Sequence, residues 1–314
     1  MSFVVLLIGF VFLIKGADLF VEGSSSIAKK FNVPPMIIGL TIVAMGTSAP
    51  EAAVSVTSSL AGANDMAVAN VVGSNFFNVL VVLGISSIMA KLPVEESTIK
   101  KETPFLIVVS GLLFLFCLDL NITRIEGVLL LVTFTYFLVD TIKTAIKETS
   151  DELNAETATT IDTPKDTSIF STILFSLLGA TGIIIGGDMV VNSATTIATT
   201  FGMSVNLVGL TIVAIGTSLP ELVTSVVAIK KGETDIAIGN VIGSNLFNIL
   251  LVLGISTSIN PIDISVLALI DVLFMNLITI LLFIYMKVNN ALLKKHGFTL
   301  IFLYITYMTY TIIR

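Results

Sequence analysis

Charge is scarce in this chain. Only 12% of its 314 residues are Asp, Glu, Lys or Arg, against roughly 25% in an ordinary soluble domain, and 55% are hydrophobic. That shortage excludes a soluble globule. A mean hydropathy of +1.02 over the whole length leaves no stretch for a second aqueous domain. The composition is that of a polytopic membrane protein, not of a nucleic-acid binder or a cytosolic enzyme. Cysteine and histidine are scarcer still, with one of each. Cys117 cannot form an internal disulfide and supplies no thiolate cluster, and His296 alone cannot build a zinc site. The charge that is present, 16 basic and 22 acidic residues for a net −6, matters by its position, because a charge inside a bilayer needs a reason.

A helix needs about 20 apolar residues to cross the hydrocarbon core. Cutting the chain at its polar clusters predicts ten spans: Phe3 to Ala28, Pro35 to Leu60, Met66 to Ala90, Pro104 to Leu118, Ile125 to Ile146, Ser168 to Thr200, Leu207 to Ile229, Ile236 to Ile259, Val266 to Met286 and Phe298 to Ile313. Between the fifth and sixth lies a stretch rich in Glu, Asp, Thr and Ala. With so little apolar surface it reads as a solvated linker over 148–167. Its acidic residues Asp151, Glu152, Glu156 and Asp162 lack the spacing and turn glycine of an EF-hand loop.

A shift of 170 residues lays one half of the chain on the other. Gly39 to Glu51 (GLTIVAMGTSAPE) matches Gly209 to Glu221 (GLTIVAIGTSLPE) at 11 of 13 positions, and Val68 to Gly84 matches Ile238 to Gly254 at 11 of 17. The same offset pairs Gly16, Asp18, Val21, Ile27 and Ala28 with Gly186, Asp188, Val191, Ile197 and Ala198. A gapless register over three spans is a duplication, with five spans in 1–147 and five in 168–314. Placing the N-terminus outside puts 13 basic residues on the cytoplasmic side and only Arg124 and Arg314 outside. Both termini are then extracellular, the linker is cytoplasmic, and an odd number of spans per repeat inverts the second half relative to the first. The predicted fold is an all-α integral membrane protein of two inverted five-helix repeats. Secondary transporters commonly have this plan, with the substrate site at the midplane between the halves.

Glu51 and Glu221 stand at equivalent positions well inside spans two and seven. No Lys or Arg occupies the same motifs, so a cation is the natural partner of two buried carboxylates. Pro50 and Pro220 lack an N–H and force a break around Gly46-Thr47-Ser48 and Gly216-Thr217-Ser218, which releases carbonyl oxygens. Two carboxylates, the carbonyls of Thr47 and Thr217, and water reach the six to eight oxygens that Ca²⁺ takes. Oxygen-only ligation suits Ca²⁺ and Na⁺ rather than a transition metal. Spans three and eight add Asn70, Ser74 and Asn78, matched by Asn240, Ser244 and Asn248, each set on one helical face that is expected to line the site. Polar residues of this kind also glue helices together. Asn75 and Asn245 lie off the stripe and are candidates to satisfy the broken backbone of spans two and seven.

Other polar residues carry blander expectations. Asp18 is within one turn of Lys15, so a local ion pair stands beside a role in ion access. Asp140 and Asp271 have no repeat counterparts and read as span-end or interhelical residues, and His296, beside Lys294 and Lys295, reads as solvated.

The blocks GTSAPE (Gly46 to Glu51) with NVVGSNFFN (Asn70 to Asn78), and GTSLPE (Gly216 to Glu221) with NVIGSNLFN (Asn240 to Asn248), resemble the two alpha-repeats of the sodium/calcium exchangers, in the calcium/cation antiporter superfamily. The resemblance covers both halves and implies a prokaryotic-type antiporter that extrudes Ca²⁺ at the expense of Na⁺ entry, with no resident cofactor and no enzymatic activity. It implies Ca²⁺ between Glu51, Glu221 and the carbonyls of Thr47 and Thr217. It implies Na⁺ sites that also use Ser48, Ser218, Ser74, Ser244 and the carbonyls of Ala44 and Ala214, to which the polar stripe adds Asn78 and Asn248 as candidate ligands. Spans one and six resemble the family's mobile pair. Some relatives, potassium-dependent exchangers among them, carry Asp where this chain has Asn248, which places it nearer the potassium-independent members. The linker is too short for the calcium-sensing domains of eukaryotic relatives.

Two other transport readings stay open on the residues alone. A proton/calcium antiporter would use the same carboxylates but needs no serine sites, and a passive channel fits poorly with inverted repeats around one carboxylate pair. An intramembrane aspartyl protease is disfavoured, since Gly186-Gly187-Asp188 lacks the spacing of its motif.

Overall fold

The computed structural model describes residues 2–62, 64–155, 169–202 and 214–313. The chain runs through α1 (Ser2–Phe31), α2 (Pro35–Thr47), α3 (Ala49–Leu60), α4 (Met66–Met89), α5 (Thr103–Phe116) and α6 (Arg124–Ala155). The second half gives α7 (Ile169–Thr200), α8 (Ala214–Thr217), α9 (Leu219–Lys230), α10 (Thr234–Ile259), α11 (Val266–Asn289) and α12 (Lys294–Ile313). Helix is found in each of the ten predicted spans. The first part of the seventh, 207–213, lies outside the described residues, as does 156–167 of the predicted linker, while 148–155 continue α6. Among the described residues six helices are long and apolar enough to cross a membrane. A seventh span is made by α2 and α3 together, which meet at a 50° bend. α5, with 14 residues, is too short for that measure.

Four two-residue strands expose the symmetry. β1 (Leu92–Pro93) pairs antiparallel with β4 (Ala291–Leu292), and β2 (Asn121–Ile122) with β3 (Ile262–Asp263). The offset of 170 carries β1 onto β3 and β2 onto β4, and it carries the pair Leu92 with Leu292 onto the pair Ile262 with Ile122. Since α5 runs from β1 to β2, the two ribbons lie at opposite ends of that helix. Equivalent strands therefore sit at opposite faces of the protein, which is the geometric content of an inverted repeat.

α4 and α10 form the centre. Although they are less apolar than α1, 83% and 94% of their most hydrophobic windows are buried in protein, against 33% for α1 and for α7. A helix buried on all sides can carry polar residues that a lipid-facing one cannot. α10 crosses α2 at Gly239, where an added Cβ would stand 2.6 Å from the Met36 carbonyl oxygen. α1 and α7 pack along each other at the periphery, their outer faces apolar through Phe3, Leu7, Val11, Phe170, Leu177 and Ile184. Glycine sets their approach: a Cβ on Gly16 would lie 2.6 Å from the Ile183 nitrogen, and its repeat equivalent Gly186 is pressed in the same way against Leu13.

The two ends of the pair are held differently. Phe20 of α1 lies over Gly46 and Val191 of α7 over Gly216, where an added Cβ would stand 2.6 Å and 2.3 Å from them. Beside Gly216 a cleft of about 330 Å³ opens between Leu6, Phe10, Val190, Val191, Ile215 and Gly216. At the far end of α1 from that cleft, the turn after α9 holds the helix by charge. Lys231 pairs with Asp18 (2.9 Å) and Glu22 (3.3 Å), and Glu233 pairs with Lys29 (3.0 Å) and accepts the Ser25 hydroxyl. Partial burial works against the Lys231 ammonium, but the hydrogen bonds and charges of Asp18 and Glu22 outweigh it and hold the group above the ordinary lysine value. The repeat equivalents of Lys231, Glu233, Glu22 and Lys29 are Ala61, Ala63, Asn192 and Thr199, so the sequence provides this clamp at one face only. Asp18 thus pairs across the repeats rather than with Lys15.

His296 also departs from expectation. It is buried, stacked on Tyr285 with ring centroids 4.3 Å apart, and its Nδ1 accepts the Leu293 N–H at 3.2 Å. Asp140 lies within α6 rather than at its end and pairs with Lys101 at 3.0 Å, the interhelical role that the sequence also allowed.

Candidate ion-binding site

Both broken spans are built alike. α2 ends at Thr47, Ser48 has turn geometry (φ −85°, ψ 8°), and α3 begins at Ala49 with Pro50 in its first turn. α8 ends at Thr217, Ser218 repeats the geometry (φ −92°, ψ 6°), and α9 begins at Leu219 with Pro220. Proline is tolerated in a first turn, where its missing N–H would have no helical acceptor, so it ends one helix and starts the next. Pro50 cannot supply the Gly46 carbonyl with its usual donor. Glu51 and Glu221 fall in the first turns of α3 and α9, where the helix dipole favours a carboxylate. The C-terminal ends of α2 and α8 present partial negative charge that favours a cation.

The two glutamates are 0% exposed and are held crosswise. Ser48 donates to Glu221 Oε1 at 2.9 Å, and Ser218 donates to Glu51 Oε1 at 3.1 Å. Behind each, an asparagine on a central helix holds the main chain. Asn70 Nδ2 donates to the Glu51 carbonyl (3.3 Å) and Ser55 (2.9 Å), and Asn240 Nδ2 to the Glu221 carbonyl (3.4 Å) and Ser225 (3.1 Å). Asn70 and Asn240 are therefore the residues that satisfy the backbone beside the break, a task expected of Asn75 and Asn245. The latter pair instead bridges the repeats: Asn78 Nδ2 donates to Asn245 Oδ1 and Asn248 Nδ2 to Asn75 Oδ1, each at 3.1 Å. Thr47 Oγ1 donates to Asn240 Oδ1 at 2.9 Å and lies 3.4 Å from Ser244 Oγ. The Ala44 carbonyl accepts the Ser48 N–H at 3.0 Å. Ala214 opens α8.

A set of oxygens is left over. Glu51 Oε2, Glu221 Oε2, Asn78 Oδ1, Asn248 Oδ1 and Ser74 Oγ are buried and have no hydrogen-bond partner. Four of the five can only accept. Among the described residues neither glutamate forms an ion pair. Buried acceptors with no donor cost free energy unless something positive meets them. A six-residue π-helical stretch begins at Asn248 and a five-residue one at Asn78, a distortion often found where a helix serves a site.

The description "Sodium/calcium exchanger protein" fits residues 1–143 and 171–313, both halves of the chain. The chain belongs to the sodium/calcium exchanger family. It is thus a multi-pass membrane transporter of the cation exchanger type, not an enzyme. It is 48% identical over 255 residues to the putative antiporter CaxA of Alkalimonas amylolytica, covering 81% of this chain and 80% of that protein. It is 31% identical to the sodium/calcium exchanger MaX1 of Methanosarcina acetivorans, covering 98% and 97%. It is 37% identical over 268 residues to the inner membrane protein YrbG of Escherichia coli, covering 84% and 81%. The solved sodium-calcium exchanger NCX_Mj superimposes with a TM-score of 0.86 at 28% identity over 98% of this chain and 97% of that one.

Proposed function

We propose that this exchanger carries Ca²⁺ out of the cell against Na⁺, with both ions bound at the midplane by Glu51 and Glu221. The observation that supports it most is the pair of fully buried carboxylates, each with one oxygen lacking a donor, framed by neutral oxygens and no basic side chain. Two carboxylates balance one divalent cation, and Asn78, Asn248 and the Thr47 and Thr217 carbonyls supply the neutral oxygens that a hard ion takes. Several Na⁺ sharing the same two charges must spread apart to limit repulsion. Ser48, Ser218, Ser74, Ser244 and the carbonyls of Ala44 and Ala214 are the flanking ligands in this reading. NCX_Mj and MaX1, both named as sodium/calcium exchangers, support the choice of ions.

Alternating access then comes from α1 and α7 sliding as a unit over the broken spans, opening the site to one face at a time. The cleft beside Gly216 and the charge clamp at the other end of α1 fit a form open to one side. In the same reading the inverted halves are 1–147 and 168–314, the termini are extracellular and the linker over 148–167 is cytoplasmic. The test is Ca²⁺ flux in proteoliposomes under a Na⁺ gradient or a pH gradient imposed separately. Flux driven by Na⁺ alone is expected. Flux driven by the pH gradient and indifferent to Na⁺ would overturn the reading in favour of a proton/calcium antiporter.

A further inference from the structure

An asparagine amide presents an oxygen on one side and an NH₂ on the other, and only the oxygen is of use to a cation. A cation site that includes Asn248 therefore needs something to decide which way that amide faces. The hydrogen bonds around Asn75 make the decision. Asn75 is 1% exposed, in the first-repeat half of the centre, and its Nδ2 faces the Asn245 backbone carbonyl (3.4 Å) and the Met275 sulfur (3.6 Å). Neither group can donate, so turning the Asn75 amide over would set oxygen against oxygen and sulfur. With Asn75 fixed, its Oδ1 can only accept, and it accepts from Asn248 Nδ2 at 3.1 Å. Asn248 must then give its nitrogen to Asn75, and its Oδ1 is left buried without a partner.

Resting on the cation-binding reading above, we propose that Asn75 is a positioning residue for the ion site. Anchored by a carbonyl of the other repeat, it holds the Asn248 amide with the nitrogen turned away and the oxygen free for the transported cation. The chain of polarity runs from a backbone carbonyl, which cannot be reversed, through one amide to the next. It also accounts for an asparagine that lies off the polar stripe. Asn75 touches no ion in this arrangement and acts through Asn248.

The test uses the dependence of Asn75 on the amide it orients. In Asn75→Leu, Asn248 loses the acceptor that fixes it, and its NH₂ is free to face the cation. Ca²⁺ affinity, measured calorimetrically on the purified protein without Na⁺, should fall about ten-fold or more. In an Asn248→Asp background there is no amide to orient, because a carboxylate shows an oxygen either way. There the same substitution should change affinity by less than about three-fold. Asn75→Ala gives the second variant should the leucine not fold, and thermal unfolding of every variant reports packing separately. An equal loss of affinity in both backgrounds, or no loss in a folded variant with Asn248 intact, overturns the proposal. An unsubstituted protein that binds no Ca²⁺ overturns the functional reading beneath it.

Discussion

Ser218 donates its hydroxyl to Glu51 at 3.1 Å. The residue that starts the helix of one repeat's glutamate thus holds the glutamate of the other repeat, and Ser48 returns the contact to Glu221. Each carboxylate is fixed through one oxygen by its pseudo-symmetric partner's helix break, while the other oxygen is left without a donor. The site is therefore a property of the interface between repeats, and neither half can assemble it alone.

Ser74 tests how Na⁺ is told from Ca²⁺. Its hydroxyl is buried and unpartnered, and Ser244 has only a long contact to Thr47 at 3.4 Å, so both are available as neutral ligands on the flanks of the carboxylate pair. Ser74→Ala and Ser244→Ala should weaken the Na⁺ dependence of transport markedly and leave Ca²⁺ affinity without Na⁺ within about three-fold. Loss of both ions together, with a lowered unfolding temperature, would mark the serines as helix glue.

Asn248 bears on potassium. The motif resemblance implies a carboxylate at this position in potassium-dependent relatives, so the amide would leave the site one charge fewer to offer a further cation. Na⁺-driven Ca²⁺ flux should be unchanged when K⁺ is replaced by choline on both sides with the membrane potential clamped. A strict K⁺ requirement would count against this assignment.

Much of this architecture was legible because the duplication repeats its chemistry. The spans, the breaks beside Pro50 and Pro220, and the buried glutamates follow from motif, offset and the cost of charge in lipid. The direction in which side chains reach did not follow. Helical spacing put Asn70 on the same face as Ser74 and Asn78, yet its amide turns to the main chain of Glu51, because the 50° bend brings that carbonyl within reach. Asn75 and Asp18 find partners in the opposite repeat, and periodicity within one helix holds no information about a neighbour more than 170 positions away. His296 looked solvated from its lysine neighbours, but the Tyr285 ring covers it.

The clamp on α1 should act locally. Its ion pairs are partly exposed, so each contributes at most ~1 kcal/mol. Lys231→Ala and Glu233→Gln should speed amide hydrogen exchange in the Asp18 to Lys29 half of α1 by no more than about five-fold, with the Leu6 to Leu13 half unchanged. Raising the salt concentration should mimic the substitutions. Uniform exchange along α1 in wild type and variants would contradict a one-sided clamp.

The glycine contact between α1 and α7 predicts a steric effect. A methyl at Gly16 or Gly186 meets main chain of the facing helix, which cannot swing aside. Gly16→Ala and Gly186→Ala should each destabilise the pair by about 1–3 kcal/mol and slow transport, with equilibrium Ca²⁺ affinity nearly unchanged because the site lies in the core. Unaltered stability and rate would show that the two helices pack less closely than this.

The shared carboxylate pair is tested most directly by Na⁺-gradient-driven Ca²⁺ flux in proteoliposomes bearing Glu51→Gln or Glu221→Gln, each checked for folding by its unfolding transition. Glutamine keeps the size and an oxygen but removes half the charge that balances a divalent ion in a low-dielectric site. Each single substitution should reduce flux to less than about a tenth of wild type, and the two should be equally severe because the site is shared. A folded variant of either that exchanges at near wild-type rate and affinity would contradict the account.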